Sequence, residues 1–591
     1  MGLSVAAPSV NKEIGMDPVT LEVLRGQLDA VAEEMQVTLL KSSYSTIISE
    51  SLDATSAVFD RSGSTVAQAV SIPIHLGVLA ELGRRFASAY PPDKASEGDL
   101  YAVNDPYSGG THLPDIAVAA PVFFEKILVG YVVTMTHHQD IGGSVPGSTA
   151  IHVHDHHSEG LRLPMIQLAS RGKLDEDLVK LMMANSRTPR NIRGDLNAQM
   201  ASCKTGASRV REIFERWGSD TVNIGMQALL DYAERLTRSE IKKIPNGEYC
   251  FEDYMDDDGS GPEAQPIPFK IKLTVDDSDL IFDFAGTGAQ VKTAINNVPY
   301  SAISSVFYAV RTLTGDSAPN NDGCYRPVKV LLPEGSIVNP VYPAPINARA
   351  VCLRRVIDTV LGVMAKAIPE RMTAAHCGQS SLIHIGTEKP GTQERVVATV
   401  GGPWMGGMGA RSYKDGIDVT DHDASNVFHM PIESSESELP IRFKKLGLWT
   451  DSGGAGEWRG GLGYEEVFEW LDGVGVTTVR RDRHKFSPWG IEGGKNGPVC
   501  ETRIKRSGQI EEALPSKGVF DLQPGDVVKI WTTGSGGYGD PFQRDPLRVL
   551  DDVLNDKVSN QRAEEDYGVL IRSGKVDDDA TAELRKRRLC G

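Results

Sequence analysis

The sequence predicts a β-rich α+β protein of several domains, with a helix-containing N-terminal domain. Three observations predict this. A chain of 591 residues is too long for one ordinary hydrophobic core. Near Pro245-Asn246-Gly247 the apolar period changes from about 3.6 to 2 residues. The 60 glycines far outnumber the 33 prolines and crowd turn-like stretches, above all in the last third of the chain. The expected division is 1–245, an α/β region; 246–395, a middle α+β region; and 396–591, a glycine-rich β region with C-terminal helices.

Asp17-Pro18 reads as a helix N-cap followed by proline in the first turn. Leu21, Leu24, Leu28, Val31 and Met35 then recur at three- and four-residue spacing. Short strands are expected at 52–59 and 101–103, and a hairpin from 116–120 and 127–136. Helices are expected at 174–185, 196–217 and 222–244. Ile267, Phe269, Ile271 and Leu273 alternate with Pro268, Lys270 and Lys272, predicting a half-buried strand. Residues 276–279 form a polar turn before a strand at 280–284. Further helices are expected at 301–313 and 351–368. Asp545-Pro546 caps a short helix before a charged tail.

A formal net charge of −17 without a long basic stretch argues against neutralising nucleic-acid phosphates. The most apolar long stretch, 116–133, is broken by Pro121, Glu125 and Lys126, so no membrane span is expected. The N-terminus lacks the basic and apolar regions of a secretion signal, and Ala6 departs from a myristoylation motif. Seven scattered cysteines without a CxxC pair suit reduced thiols in a cytoplasmic protein.

Chemistry concentrates between 104 and 160. His112 and Asp115 lie three apart, with Pro114 favouring a turn that aims both at one pocket. His137 and Asp115 fall at opposite ends of the expected hairpin, close to where its strands would pair. Two imidazoles and one or two carboxylates make a mid-hard ligand set suited to Zn, Mn or Fe. The plain alternative is a set of hydrogen-bonded turn residues. In the run IHVHDHH, His152, His154 and His156 would share a face if extended. A second metal site, a pH-sensitive or substrate-lining loop and an exposed polar loop all remain open there. The glycine-rich stretches 401–409, 453–463 and 534–539 could approach anions, but none fits GxxxxGK[ST], and turns explain them better. No GxSxG elbow is present. Cys377 beside His376 reads as a small buried hydrophobe rather than a nucleophile.

In order, DPVTLEVLRGQL, SLDATSAVFD, NDPYSGGTHLPDI, THHQDIGG, EGLRLP, NNDGCYRP, GGMGARSYKDG, WRGGLGYE and PGDVV…GSGGYGDP resemble the hydantoinase B/oxoprolinase family. The resemblance runs from about residue 16 to 570. It implies the B-type subunit of an ATP-dependent hetero-oligomeric complex: a hydantoinase, lactamase, oxoprolinase or ketone carboxylase. An A-type partner subunit would bind ATP and phosphorylate the carbonyl oxygen of a small-molecule substrate. The B-type subunit would complete the reaction at a divalent metal. Carried over residue by residue, the ligands would be Asp53, His112, Asp115 and His137, with His138 and Asp140 as groups that orient ligands or move protons. The resemblance implies hydrolytic ring opening of a hydantoin, oxoproline or lactam first. An acetone- or acetophenone-type carboxylase using bicarbonate is the alternative, and a non-catalytic scaffold subunit the third reading. Where hydrolase-like members read QEGLR, this chain has Ser158-Glu159-Gly160-Leu161-Arg162.

Overall fold

The computed structural model describes residues 16–315, 318–379, 383–389, 391–392, 394–402, 405–421 and 424–589. The extreme tail, Cys590, and residues 403–404 of the first glycine-rich stretch lie outside the described residues.

The N-terminal helix Pro18–Ser42 starts where Asp17 accepts hydrogen bonds from the Val19 and Thr20 amides. Its buried stripe, Leu21, Leu24, Leu28, Val31, Met35 and Leu39, packs on the long helix Pro189–Trp217. Each such side chain contributes roughly 1.5–3 kcal/mol on burial. Both helices cover one face of a seven-stranded antiparallel sheet. Its strands are β1 (Ala54–Asp60), β2 (Thr65–Gln68), β3 (Leu100–Val103), β4 (Asp115–Phe124), β5 (Ile127–His137), β6 (Ile166–Ser170) and β7 (Lys173–Leu174), in the order β2-β1-β5-β4-β3-β6-β7. The β4–β5 turn uses Glu125 and Lys126, both at positive φ (49° and 67°), which matches the twist of the strands.

The other face of this sheet is covered by the helix Leu76–Ala89, which the apolar period did not lead us to expect. Helix Pro299–Thr314 packs behind it; a Cβ on Gly77 would lie 2.9 Å from the Ser304 amide. With both faces covered, β4 and β5 are nearly continuous apolar runs. The expected helices at 174–185, 196–217 and 222–244 appear as Glu176–Ala184, Pro189–Trp217 and Ser219–Ile241.

A second sheet, ordered β11-β10-β9-β8, follows: β8 (Gly247–Met255), β9 (Ile267–Asp276), β10 (Asp279–Asp283) and β11 (Val328–Leu331). β9 alternates buried and half-buried residues along most of its length, as its period-2 pattern requires. Helix Ala350–Ala367 lies across β8 and β9 and is buried almost all round.

The last third is a two-sheet sandwich. Its strands are β12 (Ile383–Glu388), β13 (Arg395–Val400), β14 (Ile441–Leu448), β15 (Tyr464–Trp470), β16 (Gly475–Arg480), β17 (Glu501–Lys505), β18 (Glu512–Ala513), β19 (Lys517–Leu522) and β20 (Val527–Trp531). One sheet runs β13-β12-β16-β19 and the other β14-β15-β20-β17-β18. Ile383, Ile385, Ala398 and Val400 of the first sheet meet Phe468, Trp470 and Ile530 of the second. The opposite face of the first sheet carries His384, Thr399 and Thr478 as cross-strand neighbours. It abuts the turn at 146–148: a Cβ on Gly147 would lie 2.7 Å from the His384 ring.

The three glycine-rich stretches pack against one another. A Cβ on Gly407 would lie 2.0 Å from the Gly461 carbonyl oxygen, and one on Gly534 1.9 Å from that of Ser452. Their amides are consumed: Gly461 N donates to Met408, Ser535 N to Gly461, and Gly454 N to Ser535. These segments are therefore close-packed backbone, with those donors unavailable to a phosphate.

Candidate metal centre

Asp115 opens β4 and His137 closes β5, and the two form a cross-strand pair. Ala54 of β1 pairs with Thr136, and the His137 amide donates to the Asp53 carbonyl. Asp53, His137 and Asp115 thus stand in a row across three adjacent strand ends. His112 reaches in from the turn before β4, closed by the Asp115 amide bonding to the His112 carbonyl.

The result is a tight triangle of buried donor atoms. His112 Nε2 and His137 Nδ1 each lie 3.0 Å from Asp115 Oδ1, and 3.2 Å from each other. Bonds of about 2.0–2.2 Å to one cation would separate adjacent ligands by roughly 3–3.5 Å. Among the described residues, His112, Asp115 and His137 form the one group of three or more His, Cys, Asp or Glu side chains with ligand atoms within 4.8 Å of one another.

The surroundings fix the state of these atoms. His112 Nδ1 donates to the Asn347 carbonyl (2.9 Å), leaving Nε2 with its lone pair towards Asp115. Burial pulls His112 down to about 4, so its ring is neutral near pH 7. Burial pushes Asp115 upwards, but His112 and His137 outweigh it and hold the carboxyl well below its usual range. The other oxygen of Asp115 accepts from Arg349 Nη2 (3.0 Å) and from the Thr111 hydroxyl. His137 Nε2 is enclosed without a partner. Two imidazole nitrogens and a carboxylate oxygen that converge in this way fit a divalent Zn, Mn or Fe ion.

Asp53 stands beside the triangle, outside the 4.8 Å group. Burial and the Asp115 charge push its carboxyl up to about 6, against the opposing pull of His137 and Arg349.

His138 and Asp140 are placed differently. Successive residues of a strand point to opposite faces, so His138 turns towards helix Pro189–Trp217, where Nε2 meets Gln199 Oε1 at 3.3 Å. Its Nδ1 is enclosed without a partner. Asp140 is buried and accepts from the amides of Gly142, Gly147 and Arg187 and from Arg187 Nη1. It holds the loop that follows β5.

Of the histidine run, His152 and His154 are exposed and only His156 is buried. His156 Nδ1 meets Glu159 Oε2 at 2.7 Å. The other Glu159 oxygen accepts from the Ile346 and Asn347 amides. Glu159 therefore fixes the segment whose carbonyl orients His112. His376 is engaged by the Gly409 amide and Thr373, and Cys377 is buried against Gly406.

Spacing in the sequence did not single out Asn347, Arg349 or His75. They come from distant segments, and no local motif marks them. His75 is buried, bonds Thr55 through Nδ1 (3.1 Å), and is pulled down to about 3 by burial.

A family model for hydantoinase B/oxoprolinase matches residues 17–541. The B-type subunit of a putative D-/L-hydantoinase from Pseudomonas sp. strain NS671 is 33% identical, covering 97% of this chain and 98% of that one. The crystal structure of ATP-dependent caprolactamase from Pseudomonas jessenii superposes with a TM-score of 0.90 at 31% identity, over 97% of this chain and 100% of that one. A nucleotide-free acetone carboxylase structure shares the fold, with a TM-score of 0.89 at 20% identity, over 97% of this chain and 84% of that one. Family model, relatives and architecture agree over nearly the whole length, and the chain belongs to the hydantoinase B/oxoprolinase family.

Proposed function

We propose that the chain is the metal-bearing subunit of an ATP-dependent hetero-oligomeric complex that opens a cyclic amide, such as a hydantoin, oxoproline or lactam. The observation that carries this reading is the convergence of His112 Nε2, His137 Nδ1 and Asp115 Oδ1. Its similarity to the B-type chain of a hydantoinase and to an ATP-dependent caprolactamase supports the substrate class.

Amide resonance makes the ring carbonyl carbon a poor electrophile. Phosphorylation of its oxygen by an A-type partner removes that protection. One water then adds to the carbon, the C–N bond breaks and the nitrogen leaves with a proton. A second water releases phosphate from the acyl phosphate and leaves a carboxylate. A divalent ion held by His112, Asp115 and His137, with Asp53 as fourth ligand, would supply a Lewis acid and a water of lowered pKa. Asn347 and Glu159 keep His112 in the required tautomer, and Arg349 aims Asp115. We assign His138 and Asp140 to positioning: His138 ties the end of β5 to the long helix, and Asp140 holds the following loop.

The test is a reconstituted complex with its ATP-binding partner, offered hydantoins, oxoproline and lactams. His112→Ala should abolish bound metal and ring opening. Full ring opening by a metal-free His112→Ala complex would overturn the reading. Ketone carboxylation is the second reading, favoured by the fold shared with acetone carboxylase. Incorporation of labelled bicarbonate into a ketone, with no lactam turnover, would select it.

A further inference from the structure

His156, from the histidine run, is 1% exposed and lies between two buried carboxylates. Its Nδ1 meets Glu159 Oε2 at 2.7 Å. Its Nε2 lies 3.8 Å from Asp105 Oδ1, within reach of an ion pair but too far for a hydrogen bond. Asp105 also accepts from the Tyr107 amide and the Ser108 hydroxyl, and its Oδ2 lies 3.9 Å from Arg162 Nε. The rings of Tyr107 and Tyr342 stand edge-on to the imidazole, with centroids 5.5 and 6.3 Å away. The Tyr342 hydroxyl is itself engaged, by His157 Nε2 at 3.0 Å and Arg162 Nη1 at 2.8 Å. Among the described residues, no other side chain able to carry positive charge meets Glu159. Burial pulls the His156 ring down, but Asp105 and Glu159 outweigh it and hold its pKa above the usual value. Burial pushes the Glu159 carboxyl up, against the pull of His156 and of two amides.

From Glu159 an unbroken run of hydrogen bonds reaches the metal centre. Glu159 Oε1 accepts from the Ile346 amide at 2.7 Å and the Asn347 amide at 2.5 Å. Asn347 Nδ2 donates to the carbonyls of Ser148 and Glu159, and Asn347 Oδ1 accepts from the Leu113 amide at 3.0 Å. The Asn347 carbonyl accepts from His112 Nδ1 at 2.9 Å. The aim of His112 therefore depends on the 346–347 backbone, that backbone on the Glu159 carboxylate, and the carboxylate on His156. A buried carboxylate without a counter-charge is costly, so the last link is the one that the charge of the ring decides.

We propose that His156 is a positioning residue of the metal centre: its protonated ring is the counter-charge that keeps Glu159 on the 346–347 amides and thereby His112 on the metal, and loss of that proton loosens the site. Because the fold raises its pKa, the ring contributes stability that is complete below about pH 6.5 and is lost as pH rises through its folded value. Metal affinity thus falls on the alkaline side, opposite to the limb set by protonation of a ligand. This inference rests on the functional reading above only in requiring a metal at His112, Asp115 and His137.

The experiment measures zinc affinity of the full chain by chelator competition, from neutral to alkaline pH. Comparing wild type with variants at each pH cancels the competition of hydroxide for the free ion. His156→Ala should bind zinc roughly 10–100-fold more weakly than the wild type at neutral pH. His156→Asn, which offers a neutral donor in place of Nδ1, should recover part of that loss and serves if His156→Ala does not fold. The wild type should weaken towards His156→Asn as pH rises, so that their ratio shrinks. Without metal, the urea midpoint of the wild type should fall over the same pH range, and that of His156→Asn should not. Zinc affinity in His156→Ala equal to the wild type overturns the assignment. So does a ratio of wild type to His156→Asn that stays constant with pH, which is what a merely structural histidine would give. A wild type that binds no zinc at any pH overturns the functional reading instead, and the metal-free midpoints still test the pairing of His156 with Glu159.

Discussion

Two buried polar clusters in this molecule are built on opposite plans. Between the second sheet and the sandwich, Arg355 and Arg483 engage Asp253, Asp358 and Asp482, with Lys517 at 3.6 Å from Asp482. There the positive and negative charges balance. At the strand ends of the first sheet, His112, His137 and Asp115 turn electron-rich atoms towards one point and leave His137 Nε2 unpaired. The first cluster neutralises itself and holds parts of the fold together. The second has the geometry of a cation site. Burial is common to both, and so are unpaired nitrogens such as Arg355 Nε and Arg483 Nε, so neither by itself marks function; what differs is that opposite charges pair in one cluster and lone pairs converge in the other.

The sharpest way to break this contrast is Arg355→Ala. It should destabilise the chain by about 3–5 kcal/mol, as expected when one partner of a buried charge pair is lost, while each folded molecule keeps its metal. Denaturant unfolding with metal analysis checks it; lost metal with unchanged stability would reverse the assignment. A smaller effect is expected from Gly407→Ala, whose Cβ would meet the Gly461 carbonyl at 2.0 Å. It should cost ~1–3 kcal/mol, visible in the urea midpoint, with metal content unchanged. Glu159→Ala should do the converse. By freeing the segment that orients His112, it should weaken metal binding roughly 10–100-fold, measured by chelator competition. The smallest effect is on pH. Burial holds His112 near 4 and Asp53 near 6, so Asp53 protonates before His112 as pH falls. A protonated carboxyl cannot balance a cation, so metal affinity should be full only well above pH 6 and fall as pH drops through about 6. Asp53→Asn should bind more weakly and lose that step; an unchanged profile would remove Asp53 from the site.

Much of this was legible in the residues. Apolar period placed the long helices and the β4–β5 hairpin, and the hairpin brought Asp115 to His137 because its strands pair at that end. The same period-2 rule turns His138 away from His137, a consequence open to reading from adjacent positions alone. Asn347 and Arg349 were not legible. Each acts across more than two hundred residues of chain, and nothing in its local sequence separates it from an ordinary surface asparagine or arginine. Helix Leu76–Ala89 was missed although its apolar residues recur at helical spacing; two glycines, Gly77 and Gly83, interrupt the pattern, and both are packing positions. The glycine-rich stretches looked like turns because glycine serves both turns and close backbone contact, and only the fold distinguishes the two.

That close contact bears on how the polypeptide is made. The strips around Met408, Gly461 and Ser535 hydrogen-bond to one another, so none has all its partners until the last has left the ribosome. Until then the earlier strips expose unpaired amides and an open strand edge, as in any topology dominated by non-local pairing. A stop codon shortly before residue 534 would therefore remove more than a tail: it would leave the earlier two strips without the segment that closes them.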